Sequence, residues 1–440
     1  MKKLPLGLFA ASRAIAGGQL SPLAYMQQCI DLADQLEPAL RAFVARTPTQ
    51  QLLDSVGEGP WAGIPVGVKD LIATRELGTT YGSAIYKDQM LDYDATVVAR
   101  VRALGGAVFG KTVSTEFAWR HPGPTVNPVN PRHTPGGSSS GSAAAVAAGI
   151  LPLGLGTQTV GSVIRPAAFC GIVGLKASFG AVPRAGAFPV SDALDHMGFL
   201  ARSVNDVAYA FNLLRNLTPT EPDSIAVPQV PMDAQSGLEP LASPRLAYVR
   251  TPFDERITAD QHQAMQATIA KLRAQGAVVE EFALPDVYWT GVDAMFCLLE
   301  AEGGTVHREH VARFPDRLSV HMKELVEQGA ARSAFEYLAA RTLQTHLRAD
   351  ATAQLKGFDA LLTVPATGAA PEGLAATGDP VFCALWSFLG LPALNIPIGH
   401  AANGLPLGLQ LVAAYRQDAR LLRTGRWIEI ALGHKSPSQP

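Results

Sequence analysis

PGGSSSGSAAAVAAGILPLGLGTQTVGSVIRP, residues 135–166, changes texture four times within one short stretch. Pro135, Gly136 and Gly137 argue against regular structure and deliver the chain to a run of serines, Ser138 to Ser140 and Ser142. Ala143 to Ala148 reads as a helix and Ile150 to Leu155 as a buried strand. Gly156 to Ser162 then returns to a Gly/Thr/Ser loop. Loops this rich in glycine bring the backbone close to a ligand.

Upstream, Ile64 to Val68 is a short apolar run that ends on Lys69-Asp70, Ala95 to Leu104 looks helical, and Ala107 to Gly110 is a further strand. Ser21-Pro22 reads as an N-cap and first helical residue of a helix running to about Leu40. Downstream, Leu246 to Val249, Leu361 to Val364 and Leu394 to Ile396 are strand candidates. Thr258 to Gln275, most of Pro285 to Ala353, and Asp418 to Ala431 read as helix. Continuously apolar strands alternating with helices predict an α/β fold. The expectation is a single large domain over residues 1–433, with a mostly parallel or mixed central β-sheet covered by helices on both faces. Residues 434–440 read as a disordered tail.

With 440 residues, 48% hydrophobic and 17% charged, and a formal net charge of −2, the chain has ample core and no basic or acidic bias. That argues against nucleic acid or an anionic membrane as partner. Cys29, Cys170, Cys297 and Cys383 are scattered, which fits buried thiols better than a disulfide framework or a zinc site. Arg13 interrupts the apolar N-terminal run, so a secretory signal is rejected, and no charge-free apolar stretch is long enough to span a bilayer. A cytoplasmic protein is expected.

Three segments carry candidate chemistry: residues 63–70, 135–142 and 156–166. A serine hydroxyl is a poor nucleophile without a base, and a lysine can be that base only when neutral. Desolvation lowers its proton affinity. A second serine between them both donates and accepts, so it can relay the proton. The turn before Ser162 offers the N–H groups of Val160, Gly161 and Ser162 as an oxyanion hole.

These motifs resemble the amidase signature family. The likeness extends from "GIPVGVKD" through "GGSSSGSAAAVAAG" and "RPAAFCGIVGLKASFG" to "HMGFLARSVNDVA" and "FLGLPALNIPIG…GLPLGLQLV". It implies a Ser–cis-Ser–Lys triad. Lys69 would be the base, Ser138 the bridging serine after a cis peptide, and Ser162 the nucleophile. Thr159, Val160, Gly161 and Ser162 would supply the backbone donors of the oxyanion hole. Ser139 and Ser140 read as turn and helix-cap residues and are the nearest alternatives to Ser138 as relay.

Most members resemble Gly-Thr-Asp-Thr-Gly-Gly-Ser-Ile-Arg around the nucleophile. Here Gln158, Val160 and Ile164 depart from that pattern, and an arginine follows at position 165. A helix starting at Ser162 would place Arg165 on its face. This form looks like the malonamidase branch, in which the matching arginine holds a substrate carboxylate. Arg165 is therefore a candidate substrate-binding residue, with a structural pairing to a carboxylate such as Asp195 as the alternative.

His307 and His310, without a third ligand, read as an exposed helix face rather than a metal site. No phosphate-binding glycine motif is present, and neither a cofactor nor a metal is expected. The resemblance implies an amide hydrolase acting through an acyl-enzyme on a small amide. The alternatives are an amidotransferase-type subunit of a multi-protein, tRNA-dependent assembly, and a carbamate or ester hydrolase with the same triad. A second copy of the chain is retained as a candidate partner.

Overall fold

The computed structural model describes residues 4–216, 221 and 223–433; the expected tail at 434–440 lies outside the described residues. Among the described residues thirteen strands occur in chain order: β1 (Phe43–Arg46), β2 (Pro65–Lys69), β3 (Ala107–Thr112), β4 (Leu153–Gln158), β5 (Val173–Lys176), β6 (His196–Ala201), β7 (Met232–Asp233), β8 (Gly237–Leu238), β9 (Arg245–Arg250), β10 (Val278–Ala283), β11 (Ala360–Thr363), β12 (Ala393–His400) and β13 (Pro406–Val412). The helices are α1 (Leu8–Ala16), α2 (Pro22–Leu40), α3 (Thr49–Asp54), α4 (Thr96–Ala103), α5 (Ser140–Ala147), α6 (Ile164–Cys170), α7 (Val204–Leu214), α8 (Ala259–Ala274), α9 (Thr290–Arg313), α10 (Val320–Ala331), α11 (Ala334–Gln354), α12 (Val381–Phe388) and α13 (Asp418–Ala431).

Eleven strands form one sheet in the order β1-β3-β2-β4-β6-β5-β12-β13-β11-β9-β10; β7 and β8 make a separate hairpin. The sheet is mixed. β2 is parallel to both β3 and β4, and β9 to both β10 and β11, while the other pairings are antiparallel. Every residue of β2, β3 and β4 is buried, as expected of strands covered on both faces. The alternation of side chains splits the far half of the sheet between two cores. Leu246, Leu362, Leu394 and Leu411 enter one cluster, and their neighbours Ala247, Leu361, Ala393 and Val412 enter the other with α9 to α12.

Local signals place several elements where the sequence predicts them. Ser21 Oγ accepts from Ala24 N, Pro22 opens α2, and the helix ends at Leu40. Met265, Ile269 and Leu272 are the buried stripe of α8, and α13 spans Asp418–Ala431. The strand expected from Ile150 starts later, at Leu153, because Pro152 has no N–H to give to a ladder. All four cysteines are buried and free. Among the described residues no helix is long and apolar enough to cross a membrane.

Candidate active site

Lys69 is the last residue of β2 and is 0% exposed, which excludes the ordinary fate of a strand-end lysine at the surface. Its Nζ lies 2.7 Å from Ser138 Oγ and 2.8 Å from Thr157 Oγ1, with the Thr157 carbonyl at 3.4 Å. The parallel pairing of β2 with β4, with Val68 opposite Leu155, brings Lys69 and Thr157 to adjacent strand ends. Burial pushes the lysine down from its ordinary 10.5 to about 7, and the carboxylate of Asp195 offsets part of that fall. A lysine held there is partly neutral near pH 7 and can accept a proton.

Ser138 arrives from the glycine-rich loop, and the Gly137–Ser138 peptide is cis. Gly136 has φ +82°, and a Cβ there would lie 2.8 Å from Pro166 Cα, so this loop rests directly on α6. Ser139 N donates to the Ser162 carbonyl at 3.2 Å, tying the two serine loops together through their backbones. Ser139 stands at the N-cap of α5 but does not cap it; its Oγ donates to Thr157 O at 3.3 Å. Neither Ser139 nor Ser140 reaches Lys69, so the lysine's serine partner is Ser138.

Ser162 sits in the turn between β4 and α6. The helix starts at Ile164, two residues later than expected, because a side chain holds the N–H groups of Val163 and Ile164, and the first helical bond runs from Arg165 N to the Gly161 carbonyl at 3.0 Å. Gln158 Oε1 accepts from Val163 N at 2.8 Å and Ile164 N at 3.0 Å. Gln158 Nε2 donates to Ser387 Oγ at 3.1 Å, and Ser387 in turn donates to the Val160 carbonyl at 2.6 Å. Position 161 is tight as well: a Cβ would meet Pro380, Cys383 and Arg165 at 3.2 to 3.3 Å. Among the described residues, the N–H groups of Val160, Gly161 and Ser162 donate to no protein acceptor, and the Ser162 hydroxyl has no hydrogen-bond partner.

Ser138, Ser162, Thr159, Val160, Gly161 and Arg165 share the wall of one cavity of about 540 Å³, with Trp119, Phe296 and Leu299 among its apolar lining. The Arg165 guanidinium is buried. Its Nη2 donates to the Gly137 carbonyl at 2.8 Å and to Thr377 Oγ1 at 3.0 Å, while among the described residues Nε and Nη1 have no partner. Burial lowers its pKa to about 10, which leaves it a cation at neutral pH. The alternative pairing with Asp195 does not form. That carboxylate accepts instead from Thr159 Oγ1 at 2.6 Å and from the N–H groups of Val190 and Ser191 at 2.7 and 3.0 Å.

Two residues of the site are not legible in the sequence. Thr157 reads as one more loop threonine, and Ser387 lies in a helix more than two hundred positions away from the turn that it holds. The reading of His307 and His310 as an exposed face is also corrected. His307 is fully buried, packed against the Phe117 and Phe188 rings, and His310 bonds to Tyr86 Oη at 2.8 Å. On that side of α9 the Phe117 ring also stacks on His310, which is half-buried. Among the described residues no three His, Cys, Asp or Glu side chains gather as a metal site would require.

The sequence profile of the Amidase family matches residues 24–422. The glutamyl-tRNA(Gln) amidotransferase A-subunit of Thermus thermophilus is 35% identical over 456 aligned positions, covering 95% of each chain. A crystal structure of an amidase superposes with a TM-score of 0.84 at 29% identity, over 97% of this chain and 99% of that one. The structure of the glutamyl-tRNA(Gln) amidotransferase A-subunit from Thermotoga maritima superposes with a TM-score of 0.82 at 26% identity, over 96% and 94%. The lysine–serine contact, the cis peptide before Ser138 and the match along nearly the whole sequence agree, and this chain belongs to the amidase family, the amidase signature enzymes.

Proposed function

We propose that this enzyme cleaves the C–N bond of an amide bearing a carboxylate, through an acyl-enzyme on Ser162. Ser162 Oγ attacks the amide carbon while its proton passes to Ser138 Oγ, and the Ser138 proton passes to neutral Lys69. The tetrahedral oxyanion lies against the backbone N–H groups of the turn at 159–162, each donor being worth about 3 kcal/mol of barrier. The C–N bond then breaks, and the proton returns from Lys69 through Ser138 to the leaving nitrogen. Water, deprotonated by the same relay, releases the acid and restores Ser162. Arg165 holds the substrate carboxylate with its free edge. The observation that carries this reading is the 2.7 Å contact between Lys69 Nζ and Ser138 Oγ, in the wall of the cavity that also receives the Ser162 hydroxyl.

The second reading concerns the fate of the nitrogen. The relatives are named as one subunit of an amidotransferase. That name favours a chain that works with other subunits and passes ammonia to a tRNA-bound acyl group, over both a free-standing hydrolase and a pair of identical chains. The departures at Gln158, Val160 and Ile164 from the family's commonest pattern favour a substrate of its own. The first half-reaction is the same in both, as it is for an ester or carbamate.

The test is ammonia release by the purified chain from short primary amides with and without a terminal carboxylate. Ser162→Ala should abolish turnover. Arg165→Ala should lose roughly 30- to 1000-fold in kcat/KM on carboxylate-bearing amides, equivalent to about 2–4 kcal/mol, and only a few-fold on neutral ones. An equal loss on both would make Arg165 a structural residue. Turnover only after adding tRNA together with a second protein would establish the second reading.

A further inference from the structure

We infer that Asp195 is a positioning residue for the proposed reaction, a fourth member of the Lys69–Ser138–Ser162 chain whose carboxylate stabilises the ammonium form of the lysine; this rests on the reading of Lys69 as the base. Asp195 stands immediately before β6, and its partly buried carboxylate is held by three neutral donors: Thr159 Oγ1, Val190 N and Ser191 N. It forms no ion pair among the described residues. The nearby guanidinium of Arg184 donates to the backbone carbonyls of Asp192 and Asp195, at 3.0 and 3.3 Å, lies 4.0 Å from the Asp223 carboxylate, and acts on the Asp195 carboxylate only through its charge. Lys69 likewise meets no carboxylate at ion-pair distance, only the oxygens of Ser138 and Thr157. A cation and an anion, neither of them in an ion pair among the described residues, therefore flank the same short segment. Thr157 touches the lysine, and Thr159 touches the aspartate.

Asp195, Thr157 and His196 line a second cavity of about 340 Å³, with Arg184, Asp192, Glu221 and Asp223 around it. The charge of Asp195 favours the protonated lysine. During acylation Lys69 becomes an ammonium as the Ser162 Oγ–carbon bond forms. A fixed carboxylate across the wall stabilises that ammonium, much as the aspartate of a serine–histidine–aspartate triad stabilises its imidazolium. Without it, Lys69 is a weaker base.

The experiment measures the rate of covalent labelling of Ser162 by a fluorophosphonate as a function of pH, which needs no knowledge of the substrate. Asp195→Asn can keep all three contacts. The amide oxygen accepts from Val190 N and Ser191 N, and the amide nitrogen donates to the Thr159 hydroxyl oxygen. Its acid limb should move down by about one pH unit and its plateau rate fall about tenfold. Thr159→Val deletes the hydroxyl contact but keeps the charge, and should leave the limb at the wild-type pH. A folded Asp195→Asn protein with the wild-type limb overturns the inference, as does an equal shift in Thr159→Val. Should Asp195→Asn not fold by circular dichroism, Asp195→Ser takes its place. Its lost volume opens onto the second cavity and admits water, and the same downward shift is required of it. Full reactivity of Lys69→Ala would instead remove the lysine base itself, and this inference with it. An essential Lys69 with an unmoved limb removes only the role of Asp195.

Discussion

Lys69, Lys111 and Lys176 all end up fully buried on neighbouring stretches of one sheet, and their partners decide what each can do. Lys111 is paired with Asp70 at 3.8 Å and donates to Thr79 Oγ1, so it is a structural cation. Lys176 donates to the backbone carbonyls of Ala177 and Leu391. Burial lowers the pKa of Lys176 to about 7, as it does for Lys69, so a depressed proton affinity alone does not mark the base. What distinguishes Lys69 is its contact with a hydroxyl in the cavity wall. The same depression has a cost in stability. With a folded value of about 7 against roughly 10.4 in the unfolded chain, the unfolded state binds more protons between those two values, so the wild type gains stability as pH rises through that window. Below it the penalty is complete, on the order of 5 kcal/mol. Lys69→Met should therefore be inactive but more stable than wild type near pH 6.5, and the advantage should shrink toward pH 10. Guanidinium unfolding at several pH values measures it; a gain that did not vary with pH would mean that Lys69 does not titrate as described.

At the scale of the element, the turn from Gln158 to Val163 is the piece most in need of support, because its free N–H groups are useful only if they point into the cavity. Ser387, on α12, donates to the Val160 carbonyl, and in a trans peptide the following N–H, that of Gly161, points the opposite way. Ser387→Ala frees that carbonyl and strands the Gln158 amide, which should cost about 1–3 kcal/mol of stability and lower kcat about tenfold with little change in KM. A change confined to KM would mean that the turn binds substrate without stabilising the oxyanion. Much of this region was legible in the sequence, because Gly136, Gly161 and the serines announce close backbone approach by their residue type. Helices with a cap and a stripe, such as α2 and α8, were legible for the same reason. Strands β1, β5, β6, β10 and β13 were not singled out, since short runs acquire their meaning from the strand they pair with. Thr157 and Ser387 were invisible as members of the site for a related reason: what they touch depends on contacts between distant segments, which no local pattern encodes.

At the scale of the whole molecule, one sheet serves two cores. Along β9, β11, β12 and β13, successive residues alternate between the cluster that holds α8 and α13 and the cluster that holds α9 to α12. The catalytic candidates lie beside the other half of the sheet, Lys69 at the end of β2 and Ser138 and Ser162 in loops before α5 and α6, yet their cavity is closed by Phe296 and Leu299 of α9 and by the segment from Ala375 to Val381. The site therefore exists only when both halves are folded, and shared strands should make them fold together. Leu411→Ala tests this. Leu411 is 0% exposed in the middle of β13, and pairs with Leu362 on one side and Leu394 on the other. The truncation removes packing from one core only and should cost about 2–5 kcal/mol. If the cores are coupled, loss of activity and loss of far-ultraviolet circular dichroism move to lower denaturant together and remain superimposed. If activity still fails at the wild-type denaturant concentration while part of the dichroism is lost earlier, the two cores unfold separately. The sheet would then be a seam between two units.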